Sequence, residues 1–120
     1  MNDNNTAVGA VALLLNTTGT DNTAVGTDAL ALNTSAFTNV AVGTFAAENN
    51  DSSGNGTANF NTAVGGFALQ ANIDGTENTA VGAGAMESGN GGNDNTAIGQ
   101  RAGVNIQWKL EYLSRPLGRK

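Results

Sequence analysis

A short pattern of alternating polar and apolar residues recurs along this chain. The motif Asn-Thr-Ala-Val-Gly, or a close variant of it, begins at Asn5, Asn22, Asn39, Asn61, Asn78 and Asn95. Successive starts are 17, 17, 22, 17 and 17 residues apart, so the third repeat carries five extra residues, around residues 51–55. Such regular self-similarity indicates a solenoid, in which each repeat is one structural unit stacked on the next.

The residue types within the repeat predict its local structure. Every repeat has Ala at its third and eighth positions, Gly at its fifth and a β-branched residue at its fourth. Thr-Ala-Val alternates in polarity and is rich in β-formers, which predicts a first strand, and the Gly permits a sharp bend after it. We expect the following Ala-Leu segment to form a second strand. The Asn-, Thr- and Gly-rich remainder predicts a return loop.

Stacked repeats of this kind pair each strand with its copy in the next turn. The sequence therefore predicts an all-β fold, a parallel β-solenoid of about six 17-residue coils. The repeat region covers residues 1–103. Residues 104–120 differ in kind and predict a C-terminal capping strand followed by a flexible basic tail.

The alternation along the first strand predicts which side chains face outward. The third-position Ala suits a cramped interior, so its two neighbours point to the opposite side. We expect the outer side chains to form a stripe that serves as an interface between chains or as a surface-binding face. Its members are Thr6, Val8, Thr23, Val25, Val42, Thr62, Val64, Thr79, Val81, Thr96 and Ile98. Val40 interrupts the Thr column.

Composition limits the chemistry that the chain can support. The chain has no Cys and no His, and its aromatic content of 5% argues against a conventional core. We therefore expect no enzyme, no cofactor and no metal site. All the basic residues lie within residues 101–120, which argues against nucleic-acid binding by the repeats, and no apolar run approaches the ~20 residues of a membrane span. We expect no membrane contact by this segment.

Two polar features of the repeat leave alternatives open. The first-position residues Asn5, Asn22, Asn39, Asn61, Asn78 and Asn95 form a column, either of exposed amides for ligand contact or of a ladder that satisfies turn backbone. Asp21, Glu77 and Asp94 place an acid beside the return loop. Solvated turn acids explain them more simply than calcium, which needs several oxygen ligands around one centre.

The tail shows a different pattern. Apolar residues alternate with polar ones after Val104, which is the period of a strand. We expect Ile106, Trp108, Leu110 and Tyr112 to cap the open end of the solenoid or to pair with another chain. We expect residues 114–120 to form a flexible basic end.

The repeats resemble the YadA-like heads of trimeric autotransporter adhesins, and similar repeats occur in phage tail-fibre-like proteins. The resemblance covers roughly residues 5–103, and residues 95–99, Asn-Thr-Ala-Ile-Gly, are the closest copy of the family motif. It implies a left-handed β-roll packed side by side in a homotrimer. It also implies an extracellular fibre head, on a bacterial surface or a phage, that binds host or environmental surfaces.

Two other functions remain open at this stage. A regular Thr-x-Val face could order water and bind ice. Alternatively, the solenoid could be an architectural subunit that stacks end to end into a filament. If the protein binds a ligand through a loop, residues 51–60, which contain the insertion, are the best candidate.

Overall fold

Six short parallel strands, one from each repeat, form a single sheet in the computed structural model, which describes residues 3–89 and 92–104. The strands are β1 Thr6–Val8, β2 Thr23–Val25, β3 Val40–Val42, β4 Thr62–Val64, β5 Thr79–Val81 and β6 Thr96–Ile98. Their order in the sheet is their order in the sequence. The chain therefore makes one turn between each strand and the next, which confirms the predicted parallel β-solenoid. The expected cap, Ile106 to Tyr112, and the basic tail lie outside the described residues.

The strands stack with equivalent positions in register. Ala24 pairs with Ala41, and Val25 pairs with Val42. The five-residue insertion does not disturb this register, because Ala41 pairs with Ala63 across it. Each turn thus places the same side chain above its copy, as the repeat predicts.

The alternation within the strands agrees with the expected orientation. The central Ala of β2 to β5 is fully buried, whereas the flanking Thr and Val are half-buried or exposed. In β1 all three residues are exposed, since no earlier repeat covers that edge among the described residues. The third-position Ala therefore faces the interior, and the stripe faces outward.

The expected second strand is wrong. The seventh and ninth positions have left-handed backbone in successive repeats, with φ of 58° at Asp28 and 51° at Leu30, and of 59° at Phe45 and 49° at Ala47. An extended strand would require φ near about −120° throughout. The segment is instead a run of turns in which alternate N–H groups point along the stack. Leu30 N donates to Ala46 O of the next repeat at 3.1 Å, while Ala31 N closes a turn to Asp28 O at 3.3 Å.

The interior is a narrow column of small side chains. The third- and eighth-position Ala residues pack against the ninth-position residues, of which Leu30 and Leu69 are fully buried and Met86 is 2% exposed. Left-handed backbone costs a non-Gly residue roughly 1–2 kcal/mol. At the ninth position this cost is offset by burial of the side chain, worth about 1.5–3 kcal/mol for a Leu.

The fifth-position glycines touch each other along the stack. Their φ values lie between 124° and 136°. A Cβ atom placed on Gly43 would lie 2.7 Å from the carbonyl carbon of Gly65, and one placed on Gly26 would lie 2.6 Å from the carbonyl oxygen of Gly43. Gly99, at the last described repeat, is different, because its nearest neighbour would be Ala102 Cβ at 3.9 Å. The invariant Gly is therefore needed for the close approach of successive turns as well as for its backbone angle.

The replacements Gly43→Ala and Gly99→Ala separate these two requirements. Both introduce a Cβ at an unfavourable φ, but only Gly43→Ala forces it into the next turn. We expect Gly99→Ala to lower the free energy of unfolding by about 1–3 kcal/mol and Gly43→Ala by more than about 4 kcal/mol. Denaturant unfolding followed by circular dichroism measures both. Equal losses would show that contact between the stacked glycines does not limit the stack.

Candidate functional site

The outer face of the sheet consists of two columns of side chains. The second-position column holds Thr in every repeat except the third, where Val40 stands, and the fourth-position column holds Val or Ile. Exposure is highest toward the ends of the stack, at 57% for Val8 and 71% for Ile98. Strand register places each column in line, so the structure brings all the predicted stripe residues, Thr6 to Ile98, onto one surface.

This face is uncharged and partly apolar. Neither column contains an ionisable residue. Each strand presents one Thr or Val at the second position and one Val or Ile at the fourth. The backbone groups beneath are paired along the stack, for example Thr23 N to Asn39 O at 2.8 Å and Gly26 N to Val8 O at 2.7 Å. A partner can therefore cover the face without stranding backbone donors, and an uncharged, partly apolar face along the stack is a candidate interaction surface.

The first-position Asn column lies inside the solenoid. Asn22, Asn39 and Asn78 are fully buried, and Asn61 is 1% exposed. From Asn5 to Asn78, each Oδ1 accepts a hydrogen bond from the backbone N–H of the next Asn in the column, as in Asn39 N to Asn22 Oδ1 at 2.9 Å. Buried amides are not available for ligand contact, so the ladder interpretation is the correct one for these residues.

A second buried Asn column was missed by the sequence analysis. Its members are the twelfth-position residues Asn16, Asn33, Asn50 and Asn72. Their amides hydrogen bond directly to each other, with Asn50 Nδ2 donating to Asn33 Oδ1 at 2.8 Å and Asn72 Nδ2 donating to Asn50 Oδ1 at 2.8 Å. The sequence does contain a signal for this column, because these residues recur with the same 17-, 17- and 22-residue steps as the motif itself.

The two columns meet at the return loop. Asn22 Nδ2 and Asn33 Nδ2 both donate to Ala36 O, at 2.9 and 3.0 Å. Asn61 and Asn72 converge in the same way on Gly75 O, at 2.8 and 3.0 Å. Each pair closes its turn from inside, so these amides determine the shape of the loop.

The second column ends at a glycine. Asn72 Oδ1 is a buried acceptor without a hydrogen-bond partner in the described part of the chain. The position above it in the fifth repeat is Gly89, which has no amide to donate. The backbone there follows the usual path, since Gly89 N donates to Met86 O as Asn72 N donates to Leu69 O, both at 3.1 Å.

The insertion is organised by one buried carboxylate. Asp51 is fully buried, and its Oδ2 accepts from Ser35 N at 2.9 Å and Ala36 N at 3.0 Å, and from the hydroxyls of Thr34 and Ser35 at 3.0 Å each. Its Oδ1 accepts from Gly56 N at 2.7 Å. Residues 52–56 therefore bulge outward from a fixed base, and the chain rejoins the standard path at Thr57.

The remaining acidic residues do not assemble into a site. Asp21, Glu77 and Asp94 are exposed at the left-handed last position of their repeats, with φ of 58–59°. Among residues 3–89 and 92–104, no group of three acidic side chains lies close enough to hold a metal ion. The same residues include no helix long and apolar enough to span a membrane.

The replacement Gly89→Asn should extend the interrupted amide column. Its Nδ2 would donate to the orphaned Asn72 Oδ1, and we expect a gain of about 1 kcal/mol in unfolding free energy. Gly89→Ala is the control, because it removes the same backbone freedom without supplying a donor. Thermal and denaturant unfolding compare the two. A gain no larger for Asn than for Ala would contradict the assignment.

The replacement Asp51→Ala should loosen the insertion and the loop beneath it. It leaves the buried N–H groups of Ser35 and Ala36 without their acceptor, and we expect a loss of about 2–4 kcal/mol. The control is Asp74→Ala, which removes an exposed carboxylate that accepts from the hydroxyls of Ser53 and Thr57. We expect this control to cost less than about 1 kcal/mol. Similar losses in denaturant unfolding would contradict a special role for Asp51.

Comparisons of the chain with protein-family models, with curated proteins and with solved structures found no match.

Proposed function

We propose that this chain is a non-catalytic head module of an extracellular fibre, assembled as a side-by-side homotrimer of left-handed β-rolls. The observation that carries the proposal is the uncharged Thr/Val face that runs in register along the described stack. The trimer would bind host or environmental surfaces, on a bacterium or as part of a phage fibre. The resemblance of the repeats to YadA-like heads supports the same assignment.

The chemistry of the face suits packing against identical copies. Val42 is 38% exposed and Val40 is 37% exposed in the middle of the stack, where neighbouring repeats already cover their edges. Burying such side chains is worth about 25 cal/mol per Å² of apolar surface removed from water. A two-column face repeats the same contact at every turn, so small gains add along the stack.

The interior supports a structural role. The amide columns and stacked glycines hold neighbouring turns in close register. Loops and outer positions can vary on such a rigid scaffold, which is how many recognition surfaces are built.

A filament subunit is a second candidate, favoured by the first repeat. Among residues 3–89 and 92–104, no strand pairs with the outer edge of β1, and the same repeat exposes Leu14 at 63%, Leu15 at 46% and Val11 at 42%. An open strand edge beside apolar side chains is a template for another chain. Ice binding competes with the trimer for the outer face, where Thr62, Thr79 and Thr96 stand in register.

The native mass of the chain, measured by size exclusion with light scattering, tests the proposal. We expect a trimer, and we expect Val42→Lys to reduce it to a monomer because the trimer would bury three unpaired ammonium groups. Ser52→Lys is the matched control, since it adds the same charge at an exposed position of the insertion, and it should remain trimeric.

The other outcomes separate the alternatives. A wild-type monomer with thermal hysteresis would replace the trimer with an ice-binding function. Particles that grow with protein concentration and shrink after Leu14→Lys would favour the filament.

A further inference from the structure

The seventh position of the repeat carries two stacked rings followed by a glycine. Phe45 and Phe67 stack with ring centroids 5.2 Å apart and an interplanar angle of 24°. The next repeat has Gly84 at this position, and the one after it has Arg101. The column therefore lacks a single side chain directly above the ring of Phe67.

The gap is a shallow pocket of about 270 Å³. Phe67 forms one wall and Arg101 the other, while Glu87 and Gln100 line the sides. A Cβ atom placed on Gly84 would lie 3.4 Å from Arg101 Cγ and 3.1 Å from Glu87 Oε2, so these two flexible side chains lie beside Gly84 and would have to shift slightly to admit a side chain there. The small residues Gly66 and Ala83 also line the pocket.

The backbone does not require Gly at this position. Gly84 has φ of 68°, and its equivalents have φ of 59° at Phe45, 64° at Phe67 and 57° at Arg101. Phe is thus accommodated in the same conformation in two neighbouring repeats. The gap is a property of the side-chain sequence, and an external ring can take the place that Phe occupies elsewhere.

The polar groups around the pocket define the ring it suits. Arg101 is the only basic residue among residues 3–89 and 92–104, and it faces a pocket that also contains the carboxylate of Glu87. The guanidinium and the amide of Gln100 donate hydrogen bonds, whereas Glu87 accepts them. A ring with a net charge would be attracted by one of Glu87 and Arg101 and repelled by the other. A neutral ring carries hydroxyl groups that both donate and accept, so it can hydrogen bond to Arg101, Gln100 and Glu87.

We propose that this pocket binds a neutral sugar ring, a pyranose unit of a surface glycan. The apolar C–H face of the sugar would stack on Phe67, which is 42% exposed, in the place where a third phenyl ring would stand. Its hydroxyls would donate to Glu87 and accept from Arg101 and Gln100. One such site binds weakly, with a dissociation constant of about 1 mM, and several copies on one particle would raise the avidity.

The inference rests on the proposed adhesive role only for its biological setting. The pocket lies beyond the Gly82 bend from the Thr/Val face, and a single chain contains all of its walls. A sugar titration therefore succeeds or fails independently of the native mass, so failure of one proposal is distinguishable from failure of the other.

The test is a titration of the full chain with neutral methyl glycosides of glucose, galactose and mannose, followed by amide NMR. We expect saturable shifts at Phe67, Gly84, Glu87 and Arg101 with at least one of them, in the millimolar range. Gly84→Phe fills the gap with the chain's own ring and should weaken binding at least tenfold. Phe60→Ala, which removes an exposed ring elsewhere on the surface, should leave binding unchanged.

Two further arms keep the result decisive. Phe67→Leu removes the stacking ring without filling the pocket and should also weaken binding at least tenfold, which covers the case in which Gly84→Phe does not fold. The methyl glycoside of glucuronic acid and N-acetylphenylalanine amide test an anionic ring and an aromatic peptide. No saturable shift with any neutral glycoside, equal binding by Gly84→Phe, or preference for either of these two probes would overturn the proposal.

Discussion

Direct backbone contact between successive turns is the constraint on which the rest of this structure depends. At the fifth position the glycines approach so closely that even one methyl group would overlap the next turn. The interior beside these glycines is narrow, and its buried positions hold mainly Ala. The Ala residues at the third and eighth positions fill it, and few large apolar side chains are buried there.

A narrow interior of this kind needs polar side chains to complete it. Ala with at most one Leu or Met per turn buries little apolar surface, and the return loop carries carbonyl groups that accept hydrogen bonds from inside. The two Asn columns satisfy these groups and connect each turn to the next. Buried hydrogen bonds contribute modestly when they are made but cost considerably when they are lost, so the columns make the fold specific as well as stable.

The sequence was sufficient to predict the strands, their register and the inward Ala, because a period of two along a strand has only one solution once one face is cramped. It was insufficient for the Ala-Leu segment. Left-handed backbone at residues such as Leu30 and Phe45 leaves no mark in an apolar pattern, which fits a strand equally well. The second Asn column, which includes Asn50, could be detected from its spacing. Its burial could not be predicted, since Asn is ordinarily a surface residue.

Of the two candidate surfaces, the outer stripe could be predicted from the sequence and the pocket could not. The outer stripe follows directly from alternation, so Thr6 to Ile98 lie where the repeat places them. The pocket at Gly84 could not be found from the repeat alone. A glycine at a variable position looks unremarkable until the rings of Phe45 and Phe67 are known to stack, because only then does an absent side chain become a space of defined size.

The amide columns also give the molecule a direction. In the first-position column the backbone N–H of each Asn donates to the side-chain Oδ1 of the Asn one turn earlier, from Asn22 N on Asn5 Oδ1 to Asn95 N on Asn78 Oδ1, so these hydrogen bonds all run the same way along the axis. The two directions along this column are therefore chemically unlike, one facing acceptors and the other facing donors. Two molecules that continue the column can join only head to tail, and any fibre built in this way is polar, with distinguishable growing ends.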